Sequence, residues 1–310
     1  MPRHEPQAGG SRPPRPAGPI ARLFGRAHSI GTATVLPGAS APSHPASIQA
    51  DFGTLLGGAA EIRAASVRGL SHRSEGASLR QDTYAWASDK RNVYFAVADG
   101  VGSAEYSHIG ARIAVTAAIA LLSAGLRNHR HIGAAIAAQM AAEARLLGVD
   151  QSALATTLVA VVVRASDGSL PWRVAVAEWG DSRAQVFTPR VAVDGHPAWR
   201  HITEGEERFY TNEVAALPSY PNAGAVGLAT LSPGEVLLLS SDGIDAHLLP
   251  DNHVGHGLAA SWSAPPSIAQ FIADVDFERV GARDDRTALA LFRPEPVSEL
   301  GNSAAKGAGR

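Results

Sequence analysis

The amino-acid sequence predicts an α+β fold in which strands and helices form separate layers. The chain has 310 residues, and 45% of them are hydrophobic, so it can bury a substantial core. Short runs rich in Val, Leu and aromatic residues, which are typical of strands, occur in adjacent pairs along the chain. Segments with apolar residues at helical spacing are grouped between these pairs. This grouping favours α+β layers over a doubly wound parallel sheet.

The predicted elements follow from hydrophobic periodicity. Strands are predicted at Arg91–Asp99, Ala155–Arg164, Arg173–Trp179, Arg183–Thr188, Glu235–Asp242 and Thr287–Phe292. Amphipathic helices are predicted at Ser107–Leu122 and His131–Leu147, where apolar residues recur every three or four positions. A third helix is predicted at Ser267–Phe277, with Ser267 as its N-cap after two prolines.

The two ends of the chain differ in composition from its centre. The first fifty residues contain nine of the twenty prolines, and five arginines there face a single acid, Glu5. Such spacing of prolines prevents a packed helix or strand. We therefore predict a disordered tail over residues 1–60, one folded domain over 61–293, and a second disordered tail over 294–310.

Charge and composition exclude several classes of function. The net charge of −2 lacks the basic excess of a nucleic-acid-binding protein. The chain has no cysteine, which excludes thiolate metal sites and thiol chemistry. No apolar run approaches the ~20 residues that span a bilayer. We expect a cytoplasmic monomer that binds neither nucleic acid nor membranes.

Four aspartates occupy similar places, at the end of a predicted strand or in the turn beside one. They are Asp99, Asp181, Asp242 and Asp284. A single aspartate of this kind is usually a turn residue, because Asp-Gly favours tight turns. Four that converge at strand ends would repel one another, at about 4 kcal/mol per pair near 4 Å with an effective dielectric constant of about 20. Basic side chains or hard divalent cations could compensate this repulsion, and oxygen donors favour Mg²⁺ or Mn²⁺. A pair of such ions suggests hydrolysis of a phosphate ester.

An ordered series of motifs resembles a known family. The series comprises RQD (80–82), VADGVGS (97–103), ATTLVAVVV (155–163), WGDSRA (179–184), LLLSSDG (237–243) and DDRT (284–287). It resembles the metal-dependent Ser/Thr protein phosphatases of type 2C, in particular a bacterial branch with the motifs SHxxxGxxxxQD and ADGxGSAxxSxxGA. The resemblance implies a four-layer α-β-β-α sandwich, in which two antiparallel sheets are flanked by helices. It also implies two or three Mn²⁺ or Mg²⁺ ions in a cleft at one end.

The resemblance also implies roles for individual residues. Asp99 matches the carboxylate that bridges both metals, and the carbonyl of Gly100 matches a ligand of one of them. Asp242 and Asp284 match ligands of the other metal. Asp284 is preferred to its neighbour Asp285 because the family pattern is Asp-Asn-x-Thr.

Two further aspartates match weaker positions of the family. Asp82 matches an aspartate that acts mainly through metal-bound water. Asp181 matches the position associated with a third metal.

Two positions depart from the family pattern. Val101 stands where many members have a histidine assigned as general acid, and valine cannot transfer a proton. Ala77 stands where a phosphate-binding arginine is expected. His72 and Arg73 are equally ranked candidates for phosphate binding, with Arg80 as a further cation.

Other residues of the motifs are predicted to be structural. Trp179 is predicted to pack in the core, and Arg183 to anchor its turn through backbone carbonyls. Residues 204–229 match a variable flap over the cleft, or an ordinary surface excursion.

The resulting prediction is a Mg²⁺- or Mn²⁺-dependent protein phosphatase that hydrolyses phosphoserine and phosphothreonine. Its partners would be phosphorylated proteins and a cognate bacterial Ser/Thr kinase whose action it opposes. Two alternatives stay open: a phosphatase-like regulatory module with weak activity, and a phosphoesterase for small molecules.

Overall fold

The computed structural model describes residues 39–40, 48–74, 79–193, 196–203, 215–249 and 252–295. Within these residues the strands are β1 (Ala39–Ser40), β2 (Gln49–Leu55), β3 (Ala60–Val67), β4 (Thr83–Ser88), β5 (Asn92–Ala98), β6 (Leu158–Arg164), β7 (Trp172–Trp179), β8 (Arg183–Val193), β9 (His196–His201), β10 (Ala225–Leu231), β11 (Val236–Ser240) and β12 (Arg286–Phe292). The helices are α1 (Leu70–Ser74), α2 (Ser107–Ser123), α3 (His129–Leu147), α4 (Asp242–Asp245), α5 (His253–Ser261) and α6 (Ile268–Val275). None of these helices has the length and hydropathy needed to cross a bilayer.

The strands form two antiparallel sheets. The first sheet has the order β1-β4-β5-β6-β7-β10, and the second has the order β2-β3-β12-β11-β8-β9. All strand pairs are antiparallel. The prediction of an α+β fold with two antiparallel sheets is confirmed.

Alternation along the strands divides the core into three layers. Along β5, Val93, Phe95 and Val97 belong to the cluster between the sheets, while Tyr94 and Ala96 face helices α2 and α3. A third cluster lies between the second sheet and helices α5 and α6. The layers are therefore helix, sheet, sheet and helix, as the four-layer prediction requires.

Local signals in the sequence fix the ends of the helices. Asn128 caps α3 by accepting a hydrogen bond from the backbone N–H of His131, and Gly148 ends the helix with a left-handed φ of 70°. Ser267 caps α6 by accepting a hydrogen bond from Gln270 N at 3.2 Å, so its predicted role as N-cap is confirmed. Gly110 in α2 permits close packing, because a Cβ there would lie 1.9 Å from the carbonyl oxygen of Leu154.

The folded part begins earlier than predicted. Strand β2 lies inside the predicted tail of residues 1–60 and pairs with β3 along its whole length. Its Leu55 is 1% exposed, and Gln49 donates a side-chain hydrogen bond to the carbonyl of Tyr84 at 2.8 Å. The last proline of the proline-rich N-terminal segment is Pro45, so the composition that prevents regular structure does not extend into β2. Residues 1–38, 41–47 and 296–310 lie outside the described residues, and so does most of the predicted C-terminal tail.

Residues 215–229 are not a flap over a cleft. Leu217 is fully buried and forms a β-bridge with Thr156, and β10 pairs with β7 as an edge strand of the first sheet. The backbone therefore enters the sheet soon after residue 215. Residues 204–214, the other part of the predicted flap, lie outside the described residues.

Candidate active site

The ends of strands from both sheets bring the predicted aspartates together. Asp82 precedes β4 and Asp99 follows β5 in the first sheet. Asp242 follows β11 and Asp284 precedes β12 in the second sheet, and Asp181 lies in the turn between β7 and β8. These turns meet at one end of the sandwich, where Asp82, Asp181 and Asp284 lie close enough for their charges to act on Asp99 or Asp242.

Direct contacts and charge repulsion raise the pKa values of the central carboxylates. Asp99 lies within hydrogen-bonding distance of both Asp82 and Asp242. Burial, followed by the charge of Asp285, raises the pKa of Asp82 to about 7. Burial, followed by the charge of Asp181, raises the pKa of Asp242 to about 6. Burial and the charges of Asp82 and Asp242 raise the pKa of Asp99 well above its usual value.

The donor set fits a hard divalent cation. Oδ1 of Asp82 and Oδ1 of Asp242 are buried and have no hydrogen-bond partner among the described residues. Buried carboxylate oxygens without donors are costly unless a cation compensates their charge, and oxygen donors are what Mg²⁺ and Mn²⁺ prefer. The described side chains contain no ready-made group of three or more metal-ligating residues. The carboxylates instead contact one another in pairs, Asp82 with Asp99 and Asp99 with Asp242.

Hydroxyl groups from the second sheet hold Asp82. The hydroxyl of Ser241 donates to Oδ2 of Asp82 at 2.6 Å and accepts a hydrogen bond from the backbone N–H of Thr287 at 3.0 Å. The hydroxyl of Ser66 is 3.4 Å from the carbonyl oxygen of Asp82 and accepts from Oγ1 of Thr287 at 2.6 Å. Ser241 thus orients the carboxylate of Asp82, and Ser66 of β3 contacts its backbone carbonyl.

Threonines of the segment that leads into β6 hold the Asp99 turn. The backbone N–H of Asp99 donates to Oγ1 of Thr157 at 3.0 Å, and its carbonyl accepts from Oγ1 of Thr156 at 2.8 Å. Oγ1 of Thr157 also lies 2.7 Å from the hydroxyl of Ser182 and so connects this turn to the turn that carries Asp181. Gly100 is buried and bridges Thr156. Its Cβ position lies only 2.7 Å from Cβ of Ser107, which leaves no space for a side chain.

The adjacent aspartates Asp284 and Asp285 have different surroundings. Asp285 is 1% exposed, and it accepts hydrogen bonds from the backbone N–H of Gly69 at 2.7 Å and of Gln81 at 2.6 Å. Asp284 is exposed, and its charge contributes to the raised pKa of Asp99 and of Asp242. Asp285 therefore anchors two backbone segments, while Asp284 faces the carboxylates as the predicted ligand should.

His72 and Arg73, which the sequence could not separate, lie in different places. Nδ1 of His72 is 3.0 Å from Oδ1 of Asp285. This contact raises the pKa of His72, with smaller contributions in the same direction from the charges of Asp285, Asp284 and Asp82. Arg73 instead pairs with Asp276 and donates to the carbonyl of Arg68 at 2.6 Å. The geometry places His72 beside the carboxylates and commits Arg73 to the end of α6, against its predicted contact with phosphate.

The third candidate cation, Arg80, has a structural position. It is 1% exposed and donates from Nη1 to the carbonyl of Ser66 at 2.7 Å. Burial lowers the pKa of its guanidinium, while the charges of Asp82 and Asp285 oppose that shift. Arg80 is therefore a buried positive charge behind Asp82.

The turn that carries Asp181 depends on a buried glutamate that the sequence analysis missed. Glu178 is fully buried and accepts hydrogen bonds from Ala184 N at 2.8 Å and from Oγ1 of Thr203 at 2.5 Å. Arg183 pairs with Glu178 at 3.1 Å, whereas its contact with the carbonyl of Gly180 is 3.5 Å long. The prediction that Arg183 anchors the turn through carbonyls is therefore confirmed for the carbonyl of Gly180 alone, and the nearby buried carboxylate of Glu178 is the stronger acceptor. The signal that could have identified Glu178 in the sequence is the presence of an acidic residue within the apolar strand of residues 172–179.

Trp179, next to this turn, is a packing residue as predicted. It is fully buried, and its Nε1 donates to the carbonyl of Pro221 at 3.0 Å. The indole thus joins the end of β7 to the segment that leads into β10.

A cavity opens beside the carboxylates. Its volume is about 350 Å³, and its lining includes Asp242, Asp284, Ser71, His247, Arg283 and Arg286. The size lies within the range of small-ligand sites. The cavity combines two predicted metal ligands with cationic side chains that suit an anionic group.

Comparisons with known proteins agree with this arrangement. The family model described as Protein phosphatase 2C matches residues 68–291. A search of curated proteins finds no match.

Three solved structures share the fold at low sequence identity. A bacterial serine phosphatase is 14% identical, with 76% of this chain and 99% of that chain covered and a TM-score of 0.54. PppA, described as a key regulatory component of T6SS in Pseudomonas aeruginosa, is 19% identical, with coverage of 75% and 97% and a TM-score of 0.50. The S. agalactiae serine/threonine phosphatase is 17% identical, with coverage of 75% and 99% and a TM-score of 0.50.

The family model spans most of the chain and contains all the aspartates that converge at the strand ends. The three solved structures share the fold of this chain. This chain belongs to the protein phosphatase 2C family.

Proposed function

We propose that the protein is a Mg²⁺- or Mn²⁺-dependent phosphatase that hydrolyses phosphoserine and phosphothreonine in proteins. The observation that carries this proposal is the convergence of Asp82, Asp99 and Asp242, with two buried carboxylate oxygens that accept no hydrogen bond from any residue the structure describes. Family membership supports the same reaction class.

Each carboxylate has a role in this proposal. Asp99 would bridge two ions with the carbonyl of Gly100 as a further ligand, Asp242 and Asp284 would hold one ion, and Asp82 would contribute through water. Asp181 would serve a third, weaker site. Bound there, the ions would activate a water molecule for attack on phosphorus and neutralise the charge of the phosphoryl oxygens.

The surrounding residues orient these ligands. Ser241 fixes the carboxylate of Asp82, and Thr157 fixes the backbone of Asp99, so both turns are preorganised. Nδ1 of His72 lies 3.0 Å from Oδ1 of Asp285, which would leave Nε2 available to bind a phosphoryl oxygen or to donate a proton to the leaving oxygen. The side chain at 101 cannot do so, because it is valine.

The cavity beside Asp242 and Asp284 would accept the phosphorylated side chain. Arg283 lines it and offers guanidinium donors to a phosphate, while the hydroxyl of Ser71 donates to the carbonyl of Arg283 at 2.7 Å. The complete set of carboxylates favours turnover over a phosphatase-like module that only binds. In the cell the enzyme would oppose a Ser/Thr kinase.

The experiment is an assay of the full chain with p-nitrophenyl phosphate and with a phosphothreonine peptide, with and without Mn²⁺. We expect Mn²⁺-dependent turnover of both, and loss of turnover in Asp242→Asn but not in Asp167→Asn, an exposed residue away from the cluster. Turnover of small phosphate esters without any turnover of phosphopeptides would favour a small-molecule phosphoesterase. The absence of metal-stimulated turnover with every substrate would contradict the proposal.

A further inference from the structure

A groove crosses the outer face of the first sheet, away from the carboxylates. Its volume is about 630 Å³, and strands β6, β7 and β10 contribute most of its lining. Helices α2 and α3 do not cover β10, where Val226 is 57% exposed and Leu228 is 83% exposed. Large apolar side chains that remain exposed beside a groove often mark a site of interaction.

The strand register arranges the groove in two rows. Val162, Ala175 and Leu228 are cross-strand neighbours and form an apolar row. Two positions further along the strands, Arg164, Arg173 and Thr230 are cross-strand neighbours and form a polar row. Because side chains alternate between the faces of a sheet, both rows lie on the same outer face.

The polar row carries an uncompensated charge. Arg164 and Arg173 are directly opposite each other and exposed, and like charges in this position destabilise a sheet. Within the part of the chain that the structure describes, neither has an acidic partner. Arg127 and Arg200 also line the groove, and the described residues that line it include no acid. An anionic group placed here would relieve the repulsion between the arginines.

The apolar row and the polar row together indicate which class of ligand the groove would bind. We propose that this groove docks an acidic peptide segment of a partner protein, with carboxylates on Arg164 and Arg173 and an apolar side chain on Leu228. A nucleic acid would use the arginines but not the apolar row, whereas a peptide presents both kinds of side chain at short spacing. The groove lies at the far end of β6 from Thr157, about 20 Å along the strand, so docking would leave the carboxylates free. This proposal does not depend on the proposed phosphatase activity.

The test measures binding of a fluorescein-labelled peptide of alternating Glu and Val to the full chain by fluorescence anisotropy. We expect saturable binding that weakens as the salt concentration rises, and an affinity lower by about tenfold or more in Arg164→Glu/Arg173→Glu. Leu228→Ser should also weaken binding. The matched control, Arg91→Glu/Arg145→Glu, changes the net charge equally at exposed residues outside the groove and should bind like the wild type. Turnover of p-nitrophenyl phosphate should be the same in all these variants.

Four results would overturn the proposal. The first is equal loss of binding in the control variant, or binding unaffected by Arg164→Glu/Arg173→Glu. The second is equal binding of a peptide with Lys in place of Glu. The third is full competition by inorganic phosphate or ATP at the concentration of the peptide, which would assign the groove to small anions. The fourth is a dimer of the wild type, seen by sedimentation, that Arg164→Glu/Arg173→Glu abolishes, which would assign the groove to a second copy of the chain.

Discussion

Ser241 donates its hydroxyl proton to Oδ2 of Asp82 at 2.6 Å, and this bond joins the two sheets at the end where the carboxylates meet. Ser241 directly follows β11 of the second sheet, whereas Asp82 leads into β4 of the first. The same hydroxyl accepts the backbone N–H of Thr287. One buried oxygen therefore links the position of the Asp82 carboxylate to the packing of the sheets.

Replacing this serine should reduce both stability and activity. Ser241→Ala leaves the N–H of Thr287 without its acceptor and Oδ2 of Asp82 without its donor. We expect the free energy of unfolding to fall by about 1–3 kcal/mol, measured by urea denaturation, and Mn²⁺-dependent turnover to fall with it. The control Ser263→Ala removes an exposed hydroxyl that bonds only locally, and it should change neither quantity. Wild-type stability in Ser241→Ala would contradict the assigned role of the hydroxyl.

The adjacent aspartates should separate stability from activity. Asp285→Ala removes the acceptor of the buried N–H groups of Gly69 and Gln81, so it should cost about 2–4 kcal/mol of stability even without metal. Asp284→Ala removes an exposed carboxylate that faces other carboxylates. It should leave the stability of the metal-free protein unchanged or slightly higher, while turnover is lost. The two measurements are thermal melting in EDTA and phosphatase activity with Mn²⁺. The opposite pattern would make Asp285 the ligand and Asp284 the anchor.

The sequence could predict the candidate metal ligands better than the residues that support them. Asp99 and Asp242 each follow an apolar strand and precede a glycine, so a local pattern marks them. The support of Asp285 comes from Gly69 and Gln81, which are more than 200 residues away in the chain, and no local pattern encodes such pairs.

The layers of the fold were also predictable from a local pattern, because a few residues of β5 suffice to show the alternation between its two faces. The sequence did not predict β2, because this strand begins only four residues after Pro45 and the average composition of residues 1–60 indicated disorder. The sequence could not separate His72 from Arg73, because no local pattern shows that Arg73 pairs with Asp276 at the end of α6.

Stabilisation by Mn²⁺ should depend on pH. Burial and neighbouring charges raise the pKa of Asp82 to about 7 and that of Asp242 to about 6, so the folded metal-free chain binds more protons than the unfolded chain above about pH 4. The contribution of these groups to stability therefore falls as the pH rises from about 4 to about 7. The raised pKa of His72 acts in the same direction.

Metal binding requires the deprotonated carboxylates and should reverse this trend. The increase in melting temperature on adding Mn²⁺ should be small near pH 5 and reach several degrees near pH 8, relative to the same buffer with EDTA. An equal increase at both pH values would contradict a site built from these carboxylates. Asp167→Asn should show the same pH dependence as the wild type, since that residue lies outside the cluster.

The strongest prediction concerns Asp99→Asn and Asp242→Asn, each of which removes one negative charge at nearly constant volume. If these carboxylates bind divalent ions, each substitution should abolish most turnover, because the ions supply both the nucleophile and the stabilisation of charge in the transition state. It should also abolish the rise in melting temperature that Mn²⁺ causes.

Without metal the same variants should be as stable as the wild type or more stable. Asp99 contacts both Asp82 and Asp242, and above about pH 7, where Asp82 and Asp242 are largely ionised, replacement of one carboxylate of this group relieves a repulsion of about 1–4 kcal/mol, depending on screening. Melting in EDTA, compared with Asp167→Asn as the matched control, measures this gain. A carboxylate that only shapes a turn would behave differently, because asparagine forms the same turn and would leave activity and the response to Mn²⁺ intact. Near-wild-type turnover in both variants, with stability unchanged in EDTA, would therefore show that these residues are turn residues and that the ions bind elsewhere.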